Sequence, residues 1–530
     1  MSKQEFDVAV VGAGFAGMYL LHRLRKLGFR ARVIEAGSDV GGTWYWNRYP
    51  GARVDIESMQ YSYQFDEELQ QEWQWSERYS PQPEILQYAG HVADRFDLRR
   101  DIQFDTRVAA ASYDEKSALW TLKAEDGTKT VARFFVMATG CLSKPNWPQI
   151  DGLDSFKGPT YHTAQWPHEK IDFTGKRVAV IGTGSSAIQS IPVIADEAAE
   201  VFVFQRTANY AIPANNAPLD QKYEHEVKSR YAEFRAEAKQ TPPGIHGRFR
   251  QGKALEATAE ERQAEYEQRW ETGGLSFMGA YGDLIFDQDA NDTAAEFVRN
   301  KIRGLVEDPD IAELLCPKNI IGGKRLCVDT NYFSTYNRDH VHLIDVEAQP
   351  IEAITPTGVR AQGKNFEVDA LVIATGFDAM TGALTQVDIK GRNDASLQKR
   401  WADGPTSYLG LAMADFPNLF TVTGPGSPSV FTNMLPTIEQ HVDWIADCIA
   451  YMKDRNYSAI EATPEAEAAW WEHVQDCVVE GLKATTNSWY LGANVAGKAR
   501  VFMPYYGGFP NYCRKCEEVV AAGYEGFAFA

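Results

Sequence analysis

The sequence has no apolar run long enough to span a bilayer and no low-complexity segment, and it carries only seven cysteines in 530 residues. Without a long apolar run, a membrane-crossing helix is not expected. Seven scattered thiols, an odd number, point to reduced cysteines rather than a disulfide framework. Cys513 and Cys516 are the one pair at a Cys-x-x-Cys spacing, and no second ligand pair lies nearby to complete a zinc site, so no metal is expected. Positive charge is also scarce, since 53 Lys and Arg face 72 Asp and Glu for a formal net charge of −19. Nucleic acid or an anionic membrane surface would require clustered cations, so neither is an expected partner. The first apolar β-branched run starts a few residues after Met1, and a cleavable signal peptide would remove the glycine turn behind it. A cytoplasmic protein is therefore expected, a monomer or weak homo-oligomer with room for two or three domains.

What the chain does have is the same glycine-rich turn twice. Gly12-Ala13-Gly14-Phe15-Ala16-Gly17 follows Asp7-Val8-Ala9-Val10-Val11, and Gly182-Thr183-Gly184-Ser185-Ser186-Ala187 follows Arg177-Val178-Ala179-Val180-Ile181. Each sits between a strand pattern and a helix pattern, the context that turns a weak motif into a dinucleotide site. A pyrophosphate must approach the backbone closely at the helix N-terminus, where free amides and the helix dipole favour an anion. The two copies then diverge. Glu35 closes the run after the first turn and can accept hydrogen bonds from a ribose diol. The equivalent offset from the second turn gives Gln205, followed by Arg206 and Thr207, and a guanidinium suits a ribose that carries a phosphate. The first site is thus expected to hold the adenine dinucleotide of FAD and the second NADPH.

Organisation along the chain extends this reading. Gly41 to Gly51, rich in glycine and aromatics, is expected to be a long ordered loop. Phe134-Phe135-Val136-Met137 ends in Ala138-Thr139-Gly140, and Leu371-Val372-Ile373 ends in Ala374-Thr375-Gly376, so each nucleotide-binding unit gains a closing strand from further along the chain. The expected class is α/β with two Rossmann-like dinucleotide-binding domains, each discontinuous in sequence, and an inserted helical domain. The FAD-binding domain is assigned to residues 1–142 and 380–530, the NADP-binding domain to 152–221 and 321–379, and the helical insertion to 222–320. Within the insertion, Thr293 and Glu296 have capping-box spacing ahead of Phe297, Val298, Ile302, Leu305 and Val306 at helical intervals. Later helices are expected around Ile438 to Met452 and from Pro464, which Thr463 precedes.

Between the two units, Phe156-Lys157-Gly158-Pro159-Thr160-Tyr161-His162-Thr163-Ala164-Gln165-Trp166-Pro167 matches the Phe-x-Gly-x-x-x-His-x-x-x-Trp-Pro signature of type I Baeyer–Villiger monooxygenases. The chain resembles that family over nearly its whole length, in the cyclohexanone and phenylacetone monooxygenase branch. The block from Gly42 to Ala52, Lys324-Arg325, Asn337-Arg338-Asp339, Ala374 to Asp378 and Trp489 to Asn494 carry the resemblance. It implies that NADPH reduces FAD, that the reduced flavin adds dioxygen to give a peroxyflavin, and that this attacks a ketone. The tetrahedral intermediate so formed rearranges to an ester or lactone. Arg325 matches the family's catalytic arginine and Asp55 its acidic partner. A fixed cation beside the developing oxyanion is worth roughly 100- to 1000-fold in rate.

The same resemblance implies that Thr43, Trp44, Tyr45, Trp46, Asp55, Tyr61, Val108 and Met434 lie near FAD, together with Gly12, Gly14, Phe15, Gly17 and Glu35 of the first turn. On the NADP side it implicates Arg53, Thr183, Gly184, Ser185, Ser186, Ala187, Ile188, Gln189, Arg206, Thr207, Lys324, Arg325 and Trp489. Gly426 to Met434 resembles the phenylacetone-type loop in length, so Ser429, Val430, Phe431, Leu435 and Trp489 are expected to shape an apolar pocket for aliphatic, cyclic or aryl ketones. His162 reads as a structural histidine in a domain linker that couples domain movement to the cofactor cycle. The alternative is a flavin monooxygenase that oxidises amine nitrogen or sulfide sulfur, which needs no oxyanion and hence no Arg325 with Asp55. A disulfide reductase would want a redox cysteine pair beside the flavin, and none lies near either turn. A protein that merely binds the nucleotides would oxidise NADPH without regard to added substrate.

Overall fold

Residues 4–479 and 481–530 are described in the computed structural model. The apolar runs ahead of the two glycine turns read as continuous because both faces of their strands are buried. In the strand Gln4–Val11, Val8 and Val10 join one hydrophobic cluster while Ala9 and Val11 join another. In Arg177–Ile181, Val178 and Val180 are likewise separated from Ala179 and Ile181. Each strand accordingly lies inside its sheet.

The first sheet runs in the order Asp388–Lys390, Val108–Asp114, Leu119–Ala124, Lys129–Met137, Gln4–Val11, Ala31–Ile34 and Ile102–Gln103, and Leu419–Thr421 also pairs with Lys129–Met137. Gln4–Val11 is parallel to both neighbours, whereas Leu119–Ala124 is antiparallel to both of its own. The second sheet, Val341–Asp345, Glu200–Gln205, Arg177–Ile181, Ala370–Ile373 and Thr160–His162, is parallel throughout. Both sheets recruit strands from separated stretches of chain. One face of the second is covered by the helix Ser185–Glu197, and the other by a three-stranded antiparallel meander over residues 353–367 that contributes Ile354, Val359 and Ala361.

Several local expectations need correcting. The glycine and aromatic segment expected to be a loop contains one helical turn, Thr43–Trp46. Thr293 is no cap: the helix spans Gln288–Leu305, and the Asp287 side chain accepts from Ala290 N at its start. The spacing was misleading because Thr293 points inward, its hydroxyl 2.8 Å from that of Tyr266. A true capping box is formed by Thr258 and Glu261 at the head of Ala259–Thr272. The insertion is helical, but its buried side chains serve two different cores. Val227, Tyr231 and Phe234 pack with the first sheet's cluster, and Tyr266, Phe277 and Phe297 with the second's.

The later helices run Met434–Arg455 and Pro464–Val479. Asn433 caps the former through Leu435 N, and Asn456 ends it in the left-handed region. Among the described residues no helix is long and apolar enough to cross a membrane, and no cluster of His, Cys, Asp or Glu is arranged to hold a metal. All seven cysteines are free.

Candidate functional site

Both glycine turns border one cavity of about 1860 Å³. Sites for single drug-sized ligands occupy about 300–1,000 Å³, so this one has the volume for more than one large ligand. The turns close as their geometry demands. Gly12 has φ +106°, and a Cβ there would lie 2.5 Å from the Ala138 carbonyl oxygen. A Cβ on Gly17 would lie 1.8 Å from the Gly12 oxygen. Gly17 therefore packs helix against strand, and it does not line the cavity, which is the first correction to the expected site.

Glu35, 5 % exposed, borders the cavity from the end of its strand. Its Oε2 accepts from Ala13 N and its Oε1 from Gly37 N, both at 2.7 Å. Two backbone amides thus fix a carboxylate that still has lone pairs to offer a diol. Gly12, Gly14, Phe15, Thr43, Trp44, Trp46, Tyr61, Val108 and Met434 join it on the wall, with Trp44 Nε1 donating to the Tyr61 hydroxyl at 3.1 Å. Tyr45 does not. Its ring lies over Gly37 and beneath the Arg48 guanidinium, and its hydroxyl meets Ser38 at 2.8 Å, so it braces the turn from behind.

At the second turn Gly182 has φ +115°, and a Cβ there would meet the Ala374 oxygen at 2.4 Å. A Cβ on Gly184 would meet nothing within 4 Å. Gly184, Thr183, Ser185, Ser186, Gln189, Arg206, Thr207 and Lys324 all border the cavity. Ala187 and Ile188 do not, because they lie on the inward face of the helix Ser185–Glu197 with no exposed surface. Neither Arg206 nor Lys324 has a hydrogen bond or ion pair among the described residues. Burial, reinforced by the nearby Arg206, lowers the pKa of the Lys324 ammonium. Two unpaired cations that disfavour each other form a site in want of an anion. Arg53 is committed elsewhere, donating to Glu77 Oε2 and to the Tyr79 carbonyl at 3.1 Å each, although it too borders the cavity.

The two units meet at Asp55 and Arg325. Arg325 Nε and Nη2 lie 2.8 and 2.6 Å from Asp55 Oδ2, and Nη1 donates to the Val430 carbonyl at 3.0 Å. The side chains are 29 % and 26 % exposed, and both border the cavity. Burial opposes the guanidinium's charge, but Asp55 outweighs it and raises the pKa. A permanent cation is thereby fixed where the two nucleotide turns converge. The units are also stitched by Gln189, whose Oε1 accepts from the Tyr49 hydroxyl at 2.8 Å and whose Nε2 donates to the Arg53 carbonyl at 3.1 Å.

Of the residues expected around substrate, Val430 and Trp489 border the cavity. Ser429, Phe431 and Leu435 do not. Ser429–Phe431 makes a single 3-10 turn, whose three residues per turn point three ways, so Val430 alone faces inward. The Ser429 hydroxyl is buried toward Met380 Sδ, 3.8 Å away, Phe431 lies parallel to Phe502 at 5.7 Å, and Leu435 sits fully buried in the first unit's core. The linker expectation for His162 needs correcting: it ends the strand Thr160–His162 of the second sheet, paired with Ile373, and is buried there, accepting from Ala164 N at Nδ1 (3.0 Å) with Nε2 3.4 Å from the Asn146 carbonyl. Burial lowers its pKa.

Gly42 was missed by the sequence reading. It adopts φ +54°, and a Cβ on it would lie 2.7 Å from Gly14 Cα; the Gly-Gly pair before an aromatic run was the available signal. The stitching by Tyr49 and Gln189 left no local signal at all.

Residues 9–256 match the model of the pyridine nucleotide-disulphide oxidoreductase family. The chain is 42 % identical over 524 residues to a Baeyer–Villiger monooxygenase of Pseudooceanicola batsensis, covering 98 % of this chain and 95 % of the relative. An oxidized steroid monooxygenase bound to NADP matches at 53 % identity and a TM-score of 0.95, covering 99 % of both chains. OTEMO in complex with FAD and NADP matches at 39 % identity and a TM-score of 0.96, covering 100 % of both.

Proposed function

The chain belongs to the Baeyer–Villiger monooxygenases, and from that premise we propose how its residues divide the reaction among them. The enzyme uses FAD and NADPH to insert one oxygen atom beside a ketone carbonyl, giving an ester or lactone. Bound FAD, reduced by NADPH, supplies the activation of dioxygen. In our reading residues 1–142 and 380–530 form the FAD-binding domain, and 152–221 with 321–379 the NADP-binding domain. Glu35 accepts from the ribose of FAD, while Arg206 and Lys324, the unpaired cations, take the ribose phosphate of NADPH. Gly14 and Gly184 leave their turns open to a pyrophosphate.

Arg325 stabilises the negative charge that develops as oxygen adds to the ketone. Asp55 and the Val430 carbonyl orient it through its Nε, Nη2 and Nη1. Val430 and Trp489 supply apolar wall beside it. The carrying observation is this guanidinium, held by an acid of one unit and fixed on the wall that both glycine turns share. Ketones are the substrate class, and the steroid monooxygenase relative makes bulky polycyclic ketones the first to try. A cytoplasmic location and a monomer or weak homo-oligomer complete the proposal, the latter checked by light scattering.

The test is NADPH consumption by FAD-loaded enzyme over a panel of aliphatic, cyclic, aryl and steroid ketones, with mass spectrometry of the products. A product one oxygen heavier than the ketone, with an ester carbonyl, supports the assignment. Oxygenation of amines or sulfides with all ketones returned unchanged overturns it.

A further inference from the structure

Lys483 lies behind the cavity wall and is only 9 % exposed, yet among the described residues no carboxylate is within ion-pair distance of it. Its Nζ donates instead to the Gly322 carbonyl and sits 5.0 Å from the ring centre of Phe431 and 5.6 Å from those of Tyr490 and Tyr506. Three of these contacts are one or two residues from the working wall. Gly322 leads into Lys324 and Arg325, Phe431 follows Val430, and Tyr490 follows Trp489. The packing around the ammonium is tight as well. A Cβ on Gly323 would lie 2.4 Å from Thr486 Oγ1, so the turn that carries Lys483 rests directly on the glycine strap. Across the strap, Asn291 fixes Ile321 through its backbone N–H (3.1 Å) and carbonyl (2.9 Å).

Burying an amine is costly, and an apolar side chain of the same length would fill the space. Burial, and then the neighbouring Arg325, push the Lys483 ammonium down to about 7. The faces of three rings and one carbonyl surround the amine and favour its protonated form against that cost. We propose that Lys483 is a positioning residue for the ketone side of the reaction, a clamp that fixes Arg325, Val430 and Trp489 relative to one another by drawing Gly322, Phe431 and Tyr490 onto one ammonium. The proposal rests on the monooxygenase reading above. It predicts a division of labour, because Arg206 and both glycine turns lie outside the clamp's contacts, and Lys324, beside Arg325 on the strap, is the one part of the NADPH phosphate site that it adjoins.

The test compares Lys483→Met and Lys483→Arg with wild type as FAD-loaded enzyme, reading the KM values for ketone and for NADPH, the fraction of NADPH lost to hydrogen peroxide, and amide exchange with NADP+ present. Lys483→Met is expected to raise the ketone KM about tenfold and to increase the peroxide fraction, with the NADPH KM changed by less than about twofold. Exchange should quicken over 482–491 and 322–325 and not in the strand Arg177–Ile181. Lys483→Arg, which keeps a charge and a donor, should restore most of the coupling.

Wild-type values for ketone KM and peroxide in Lys483→Met overturn the proposal. So do equal rises in both KM values with faster exchange everywhere, which is general loosening. If Lys483→Met does not hold FAD, Phe431→Leu decides. It removes one ring of the cage, and a ketone-selective KM rise of about threefold supports the clamp, whereas no change overturns it. Failure of the functional reading itself looks different, since wild type would then make no ester or lactone from any ketone.

Discussion

Around the first glycine turn the chain closes in, and around the second it stays open. Gly42 lies so near Gly14 that a Cβ on Gly14 would sit 3.3 Å from Gly42 Cα, whereas a Cβ on Gly184 would meet nothing within 4 Å. Glu35 at the first turn is fixed by two backbone amides, while Arg206 and Lys324 at the second have no hydrogen bond or ion pair among the described residues. A cofactor that remains bound through many turnovers favours an enclosed, preorganised site. One that is replaced favours an open site whose charges are left uncompensated until it arrives. The same backbone motif thus serves two kinds of occupancy, and the difference lies in what packs around it.

The sharpest way to break this comparison is at the junction, where Asp55 of one unit holds Arg325 of the other. Arg325→Ala should lower ester formation about 100- to 1000-fold while FAD stays bound and NADPH is still oxidised to peroxide, as product analysis against NADPH consumption would reveal. Near-normal ester yield would end the assignment. Next in size, Arg206→Ala should raise the KM for NADPH about tenfold or more and leave that for NADH nearly unchanged, which steady-state kinetics with both coenzymes would resolve.

The glycines themselves sharpen the contrast. Gly14→Ala must displace Gly42 and should cost about 1–3 kcal/mol with weaker FAD retention, whereas Gly184→Ala should leave thermal stability near wild type and weaken only NADPH binding. Thermal unfolding alongside the flavin to protein absorbance ratio separates the two.

The smallest expected effect is in pH. Each unit buries an acid whose pKa burial raises, Glu439 to about 7 in the first and Asp329 to about 6 in the second. Their native forms hold protons that the unfolded chain releases, so stability falls as pH climbs from the ordinary carboxylate range to those values. Glu439→Gln keeps an acceptor for Gln64 N and Phe65 N, which now donate to Oε1 at 2.6 and 3.1 Å. Its Tm relative to wild type should therefore improve by about 2–4 °C between pH 4.5 and pH 8. Asp329→Asn should show a smaller gain, complete by about pH 6.

The parts of the site legible in the sequence are those that chemistry confines to a short stretch. Glycines at 12 and 182 follow apolar runs because the chain turns there at positive φ against a neighbouring carbonyl, and Glu35 and Gln205 stand at the same offset from their turns, with Arg206 one residue beyond the second. Where the reading failed, short-range pattern stood in for three-dimensional direction. Ser429, Phe431 and Leu435 are neighbours of Val430 in sequence, but a 3-10 turn and the following helix aim Ser429 at Met380, Phe431 at Phe502 and Leu435 into the first unit's core. Ala187 and Ile188 follow the glycine turn directly, yet helical rotation buries them. The insertion likewise announces its helices through periodicity but not that its two halves pack against different sheets.

What the sequence determined by itself is local: two strand-turn-helix units, the charge that each offers a ribose, and a net acidity that disfavours polyanion partners. The resemblance already implied Asp55 as the partner of Arg325, 270 residues away; only the tertiary structure decided that Gln189 fastens one unit to the other and that Lys483 sits in a ring of aromatics behind them. The physical reason is range. A turn or a helix cap is a bargain among residues a few positions apart, whereas a buried cation finds its partners through packing, which depends on the whole chain at once.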